Sequence, residues 1–262
     1  MSSSLCSAAF IAGFVLVGPA LSAPIVVYSN SPAPGDRVAG EDWEAIGGSG
    51  WYYNAVADGS VVGITTGNPK DGNGSVYLET SSRADRAQIE YLPGGDLGSL
   101  AHLVGMSFDG YRDGASTVAN LFFPAMRVIV GDQDGNRIGN LVFERVYNVA
   151  VSDRPVPTDA WLTMNIDKNT SLWGQAGLAT NPWSLKSLAA WQDELGGYSI
   201  LGFRVQGGGG WDGKFTGYVD NISWTIGDET TTTNFEVIPL PAGIWLMGAA
   251  LGGLALMRRK VA

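Results

Sequence analysis

The chain has 262 residues and carries 16 Lys and Arg against 25 Asp and Glu, a formal net charge of −9. Such acidity disfavours nucleic acid and anionic lipid as partners, because both are held by clustered basic charge, and it favours neutral glycans, metal ions or basic surfaces. The one cysteine, Cys6, falls inside an apolar leader, so the remainder has no disulfide, thiolate metal site or cysteine nucleophile.

The first 22 residues contain no charged side chain. An apolar run from Ala8 to Val17 leads to Gly18-Pro19 and the small-residue stretch Ala20-Leu21-Ser22-Ala23. This is the layout of a secretory signal peptide, cut by signal peptidase between Ser22 and Ala23. Cutting one residue later would put Pro24 at the disfavoured position after the cut. Cys6 precedes the apolar run instead of ending it, which argues against lipidation there.

Residues 23–228 read as one all-β domain. Glycine is abundant (37 residues), 45% of the chain is hydrophobic and only 16% is charged, a composition of short strands and tight turns. Period-2 runs recur: Met126, Val128 and Val130; Leu141 and Phe143, with Tyr147 on the same face; Leu162, Met164 and Ile166; Leu201, Phe203 and Val205; Ile222, Trp224 and Ile226. Each buries one face of a sheet and solvates the other, which favours a β-sandwich. One helix interrupts the strands. Asn181 is its expected N-cap and Pro182 its first residue, Leu185, Leu188, Trp191 and Leu195 share a face, and Gly196-Gly197 ends it.

Residues 229–236, with Thr230 to Thr233 and Asn234, read as a polar linker. Beyond them Pro239-Leu240-Pro241-Ala242 precedes an uncharged stretch from Gly243 to Met257, and Arg258-Arg259-Lys260 closes it. Proline suits a first helical turn, and the basic cluster stays on the cytoplasmic side. With those three bases set aside, 13 bases face 25 acids, so the exported part has a net charge of −12.

This tail, residues 237–262, resembles the VPLPA-CTERM class of sorting signals, relatives of the PEP-CTERM signals recognised by exosortases in Gram-negative bacteria. The resemblance rests on Pro239, Leu240, Pro241 and Ala242, on Trp245-Leu246-Met247, on the Gly/Ala/Leu helix and on the basic stop; Ile238 stands where the name-giving valine would be. It implies membrane insertion, processing near the prolines by an exosortase-type enzyme, and transfer to the cell surface or extracellular matrix. The order of pieces across residues 40–228 also resembles a jelly-roll, concanavalin-like β-sandwich module of exported bacterial proteins. Gly74 to Leu78, Met106 to Arg112, Leu141 to Tyr147, Trp161, Trp173-Gly174 and Gly217 to Ile222 carry that likeness. It implies a fold and no reaction.

Candidate chemistry is sparse. His102, the one histidine, sits in Leu100-Ala101-His102-Leu103-Val104 without a Gly-x-Ser-x-Gly elbow, so a Ser-His-Asp triad is not expected. Glu90 and Glu144 lie in strand-like runs and are expected to face solvent or to pair with a neighbour such as Arg145. The Glu-x-Asp-x-x-Glu strand of sandwich-fold glucanases is absent. Asp132, Asp134 and Asn136 offer oxygen ligands at alternate positions for calcium, but the Asp-Gly pair between two strands is first a hairpin turn, and no cofactor is expected.

Of the tryptophans, Trp161, Trp191 and Trp224 fit core or semi-core positions, whereas Trp43, Trp51, Trp173, Trp183 and Trp211 lie near glycine or proline and read as loop residues. Exposed indoles stack on sugar rings, so Trp211 beside Asp212, together with Trp173, is the candidate glycan site; burial of Trp211 under its loop is the competing expectation. The sequence therefore points to a non-enzymatic surface or matrix protein. A carbohydrate-binding module is the alternative, and a carbohydrate-active hydrolase the second.

Overall fold

The computed structural model describes residues 23–178 and 184–239. The expected signal peptide with Ser22, the tail from Leu240 onward, and Asn181, Pro182 and Trp183 lie outside the described residues. Ala23 and Pro239, the described residues nearest the two expected cuts, are exposed. No described helix is long and apolar enough to cross a membrane.

From the N-terminus the strands are β1 (Ile25–Pro32), β2 (Val38–Ala39), β3 (Trp43–Ala45), β4 (Trp51–Val56), β5 (Val61–Thr65), β6 (Ser75–Thr80), β7 (Arg86–Tyr91) and β8 (Leu103–Arg112). There follow β9 (Ala125–Gly131), β10 (Arg137–Phe143), β11 (Trp161–Ile166), β12 (Ser171–Ala176), β13 (Leu185–Ser187), β14 (Ser199–Gly208), β15 (Phe215–Ile226) and β16 (Glu229–Ile238). The described residues form two sheets that pack as a jelly-roll β-sandwich. The second sheet runs β13-β12-β10-β9-β14-β7-β4-β3.

In the first sheet, the order is β1-β16-β15-β6-β5-β2, with β8 along the other edge of β15 and β11 beyond β8. The twelve-residue β15 holds β8 along one edge and divides its other edge between two strands. Phe215 to Val219 pair with β6, and Ile222 to Ile226 pair with β16. The change of neighbour falls at Asp220-Asn221, where Asn221 takes φ 49°. There the Asp220 carboxylate accepts the amides of Asn221 and Phe235, 2.8 and 3.0 Å away, in place of ladder carbonyls.

The expected linker at 229–236 is instead most of β16, antiparallel to β15 and parallel to β1. Its threonines are β-branched and suit a half-exposed strand. Thr233, Phe235 and Val237 are buried at alternate positions, so the segment is part of the fold. Val237 and Ile238, expected to open the sorting signal, close this strand.

Aromatic packing dominates the core between the sheets. Trp51 meets Phe235 edge-on at 5.0 Å, and Trp224 stacks on Phe203 at 4.5 Å. Most predicted strands keep their period. An irregularity between Ile200 and Gly202 shifts β14, however, so Ile200 is buried and Leu201 only half-buried. Tyr147 leaves the face of β10 for a short 3-10 turn and is 44% exposed.

The helix α1 is shorter than expected, Leu188–Leu195. Its N-cap is Ser187, whose hydroxyl accepts the Ala190 amide at 3.2 Å. Leu185 lies in β13 and is exposed, while Leu188, Trp191 and Leu195 are buried as expected. The Trp191 Nε1–H donates to the Leu172 carbonyl at 2.9 Å, which satisfies its one polar atom inside the core.

Candidate functional site

In the second sheet each strand alternates, and the residues turned away from the core are unusually polar. On β4 Trp51, Tyr53 and Ala55 are buried, with Tyr52, Asn54 and Val56 between them. On β7 Gln88 and Glu90 alternate with Ala87 and Ile89; on β14 Arg204 and Gln206 alternate with Phe203 and Val205. On β9 Arg127 lies between Met126 and Val128, on β10 Asn140 precedes Leu141, and on β12 Trp173 and Gln175 flank Gly174.

Register aligns these side chains into rows. One row crosses Tyr52, Glu90, Arg204, Arg127, Val142 and Trp173. A second crosses Trp43, Asn54, Gln88, Gln206 and Ala125. A third crosses Ile129, Asn140 and Gln175. Above them opens a cleft of about 860 Å3, bounded by Phe122, Tyr147, Trp173 and the Gly209 to Trp211 loop. That volume falls in the range of ligand pockets.

The floor is a wired network. Arg204 Nε pairs with Glu90 Oε1 at 2.7 Å, and Asn54 Nδ2 donates to the same oxygen at 3.0 Å. Arg127 Nη1 and Asn140 Nδ2 both donate to Gln175 Oε1, at 2.6 and 2.9 Å. Gln88, Glu90, Arg127, Asn140 and Gln206 are all buried, yet Gln88 Oε1, Glu90 Oε2 and Arg127 Nε have no partner. Buried polar atoms without partners cost free energy, and these three gather on the polar face of one sheet.

Burial pushes the Arg127 guanidinium down to about 10, and repulsion from Arg204 adds to it. Burial likewise raises the Glu144 carboxyl, against the opposing pull of Arg127 and of the Trp173 Nε1–H, which donates to Glu144 Oε2 at 3.3 Å. Of the two expectations for these carboxylates, solvent exposure or pairing, Glu90 follows the second, whereas Glu144 is half-buried at the cleft with the Trp173 indole as its donor. Glu90 is completely buried because Arg204 and Asn54 replace its water, and Arg145 serves neither. Arg145 turns to the carbonyls of Asp153 and Arg154, at 2.6 and 3.0 Å.

The candidate glycan residues separate. Trp173 is half-buried on β12, not in a loop, and lines the cleft. Trp211 borders the cleft but is 4% exposed: Phe122 stacks on it at 4.9 Å and Phe215 meets it edge-on at 5.1 Å. The glycines before it do not leave the loop slack. Gly208, Gly209 and Gly210 all take positive φ, and the last two donate their amides to Asp85 and Arg83 carbonyls, both at 2.8 Å. That backbone path, open to glycine, seats the indole inward. Asp212 is exposed outside the cleft, paired with Arg83 at 3.0 Å.

Two aromatics misplaced by the sequence reading matter here. Trp51 belongs to the core, whereas Trp43 lies on β3, 49% exposed and stacked on Tyr52 at 5.2 Å, at the far end of the same polar rows. Trp43 pairs with Asn54 across the β3–β4 hairpin, and the glycine-rich turn Gly47-Gly48-Ser49-Gly50 between these strands is the local signal that marks it. Asp132 Oδ1 accepts the amides of Asp134 and Asn136, at 2.9 and 2.8 Å, and Gly135 takes φ 81°, so this loop is a hairpin turn held by its own amides. Among the described residues no group of three or more His, Cys, Asp or Glu is placed to hold a metal. His102 ends a 3-10 turn, exposed to solvent and outside the cleft, not in the apolar setting its neighbours suggested.

Neither a family model nor a curated protein matches the chain. Among solved structures, the chain is similar to the family 11 carbohydrate-binding module from Clostridium thermocellum in complex with a β-1,3-1,4-mixed-linked tetrasaccharide. The TM-score is 0.41 at 18% identity, covering 72% of this chain and 97% of that one. The family 11 carbohydrate-binding module of a cellulosomal cellulase of Clostridium thermocellum gives 0.40 and 17%, covering 72% and 96%. A β-1,2-glucanase from Parabacteroides distasonis gives 0.39 and 10%, covering 78% of this chain and 25% of that one. Likeness at this level assigns neither ligand nor reaction.

Proposed function

We propose that this chain is an exported, non-enzymatic glycan-binding protein of the cell surface or matrix, which holds polysaccharide in the cleft of its second sheet. One observation carries the reading: a floor of buried hydrogen-bonding side chains, some without partners, flanked by Trp43-Tyr52 at one end and Trp173 at the other. Sugars present hydroxyl edges and apolar ring faces, which match polar rows and aromatic rims respectively. From β3 to β12 the sheet spans six strand spacings, about 29 Å, long enough for several rings of a chain.

The hydrolase reading is less well supported. Glu90 lies on β7 and Glu144 follows β10, three strand spacings or about 14 Å apart across the sheet, with Arg204 and Arg127 between their strands. Glycosidases hold their two carboxyl groups about 5–9.5 Å apart. Glu90 is also committed to Arg204 and Asn54. Export and sorting rest on the two terminal segments described above.

The test is titration calorimetry of residues 23–239 against a panel of polysaccharides, with Trp173→Ala alongside. Loss of the indole should weaken binding by about 1–2 kcal/mol, with little change in melting temperature. A protein that ignores the whole panel would defeat the glycan reading. Release of reducing ends by wild type, abolished in Glu144→Gln, would restore the hydrolase.

A further inference from the structure

The cleft contradicts the charge of the chain that contains it. Residues 23–239 hold 13 Lys and Arg, and five of them, Arg83, Arg86, Arg127, Arg137 and Arg204, converge on this one cleft. Glu144 is the one acidic side chain that lines it among the described residues, with Glu90 beneath.

Arg83 is matched by Asp212 and Arg204 by Glu90. Arg86, Arg127 and Arg137 have no carboxylate within ion-pair distance among the described residues. Arg127 is 6% exposed, its Nε is unpartnered, and its directly opposite cross-strand neighbour is Arg204. Like charges facing each other across a sheet are destabilising, the more so with little water to screen them. Burial lowers the basicity of Arg127 and Arg204 first; Arg204 and Arg86 lower Arg127 further and Arg137 and Arg86 lower Arg204 further, against the pull of Glu144 and Glu90. A fold with a surplus of acids could have paired these cations, yet around one opening three have no carboxylate within ion-pair distance.

Resting on the glycan reading, we propose that the bound polysaccharide is anionic, a polyuronate whose sugar carboxylates pair with Arg86, Arg127 and Arg137. The planar guanidinium fork matches a carboxylate bidentately, and pairing inside a half-buried cleft gives shorter, stronger hydrogen bonds than neutral ones. The ligand's own charge supplies the counter-ions that the fold withholds. The rest of the surface, acidic overall, repels the same polymer and confines it to the cleft.

The experiment compares a polyuronate with the same polymer after chemical reduction of its carboxyl groups, with a neutral β-glucan and single-stranded DNA as further arms. Expected is binding of the polyuronate that weakens as salt rises from 50 to 500 mM, with at least tenfold loss on carboxyl reduction. Arg86→Gln and Arg137→Gln, both exposed in the free protein, should each lose about three- to tenfold without a change in melting temperature. Arg127→Gln should lose tenfold or more, and Arg127→Lys less. Equal affinity for the reduced polymer or the β-glucan would overturn the anionic assignment and leave glycan binding intact. DNA binding as tight as the polyuronate would overturn it in favour of general polyanion attraction. No binding in any arm would remove both readings.

Discussion

Asp220 shows what one buried carboxyl does to the pH response of this fold. It is fully buried at the partner switch of β15, and although Oδ1 takes two amides, Oδ2 has no partner. Burial raises its pKa from 3.8 to about 7, against those amide bonds. Between these values the folded chain holds a proton that the unfolded chain releases. Its contribution is therefore fully present below about pH 4 and is lost as pH rises through 7. At about 1.4 kcal/mol per pKa unit the whole effect is at most on the order of 4 kcal/mol. Urea melts of Asp220→Asn should show a gain over wild type at pH 8 that is mostly gone at pH 4.5; equal gains at both would refute the linkage.

Three further substitutions separate residues that look alike in sequence. Trp211→Ala should cost about 3–5 kcal/mol of stability, because it empties a site packed by Phe122 and Phe215, whereas Trp173→Ala should leave the melt nearly unchanged. Glu90→Ala should cost about 3–5 kcal/mol, because it strands the Arg204 guanidinium in a buried position. Chemical denaturation measures all three. None of these differences was readable locally: Trp173 and Trp211 both sit beside glycine, and Glu90 and Glu144 both follow β-like runs. Burial and partners come from strands far away in the chain.

At the scale of elements, β16 has the largest consequence. Phe235 and Val237 are completely buried, each contributing about 1.5–3 kcal/mol by transfer alone, and β1 has its ladder on β16. A chain ending at Asp228 should fail to give a cooperative melt, while one ending at Pro239 should melt within a few degrees of a chain extended beyond it. The same packing bears on processing. A cut that preserves the fold must fall after Ile238, so intact mass of the surface form should include Val237 and Ile238. Recovery of a folded surface form ending before Phe235 would refute this. The period of Thr233, Phe235 and Val237 was present in the sequence but was masked by the threonine run and by the adjoining proline motif.

For the whole molecule, calcium should be dispensable: the melting temperature of residues 23–239 should be the same in millimolar Ca2+ and after chelation. Asp132 already spends its oxygens on the amides and side chain of its own turn. A rise of many degrees with Ca2+, lost in Asp132→Asn, would show a bound ion by linkage. Net charge is the property that the whole chain conceals best. A net charge of −9 is compatible with a cluster of five arginines, because strand pairing gathers residues 83 to 204 onto one face.

The sequence by itself determined the strand periods, the two-sheet all-β class, the helix face of Leu188, Trp191 and Leu195, and the Asp-Gly turn. Each is a local pattern, set by side-chain alternation or backbone preference within a few residues. Only the tertiary structure decided which tryptophans meet solvent, that 229–238 is a strand, and that Glu90, Arg204 and Arg127 form one row. Those facts depend on register between strands up to 208 residues apart, as Ile25 from Thr233 (233 − 25), where the rewarding contact is made by the fold and leaves no trace in either segment alone.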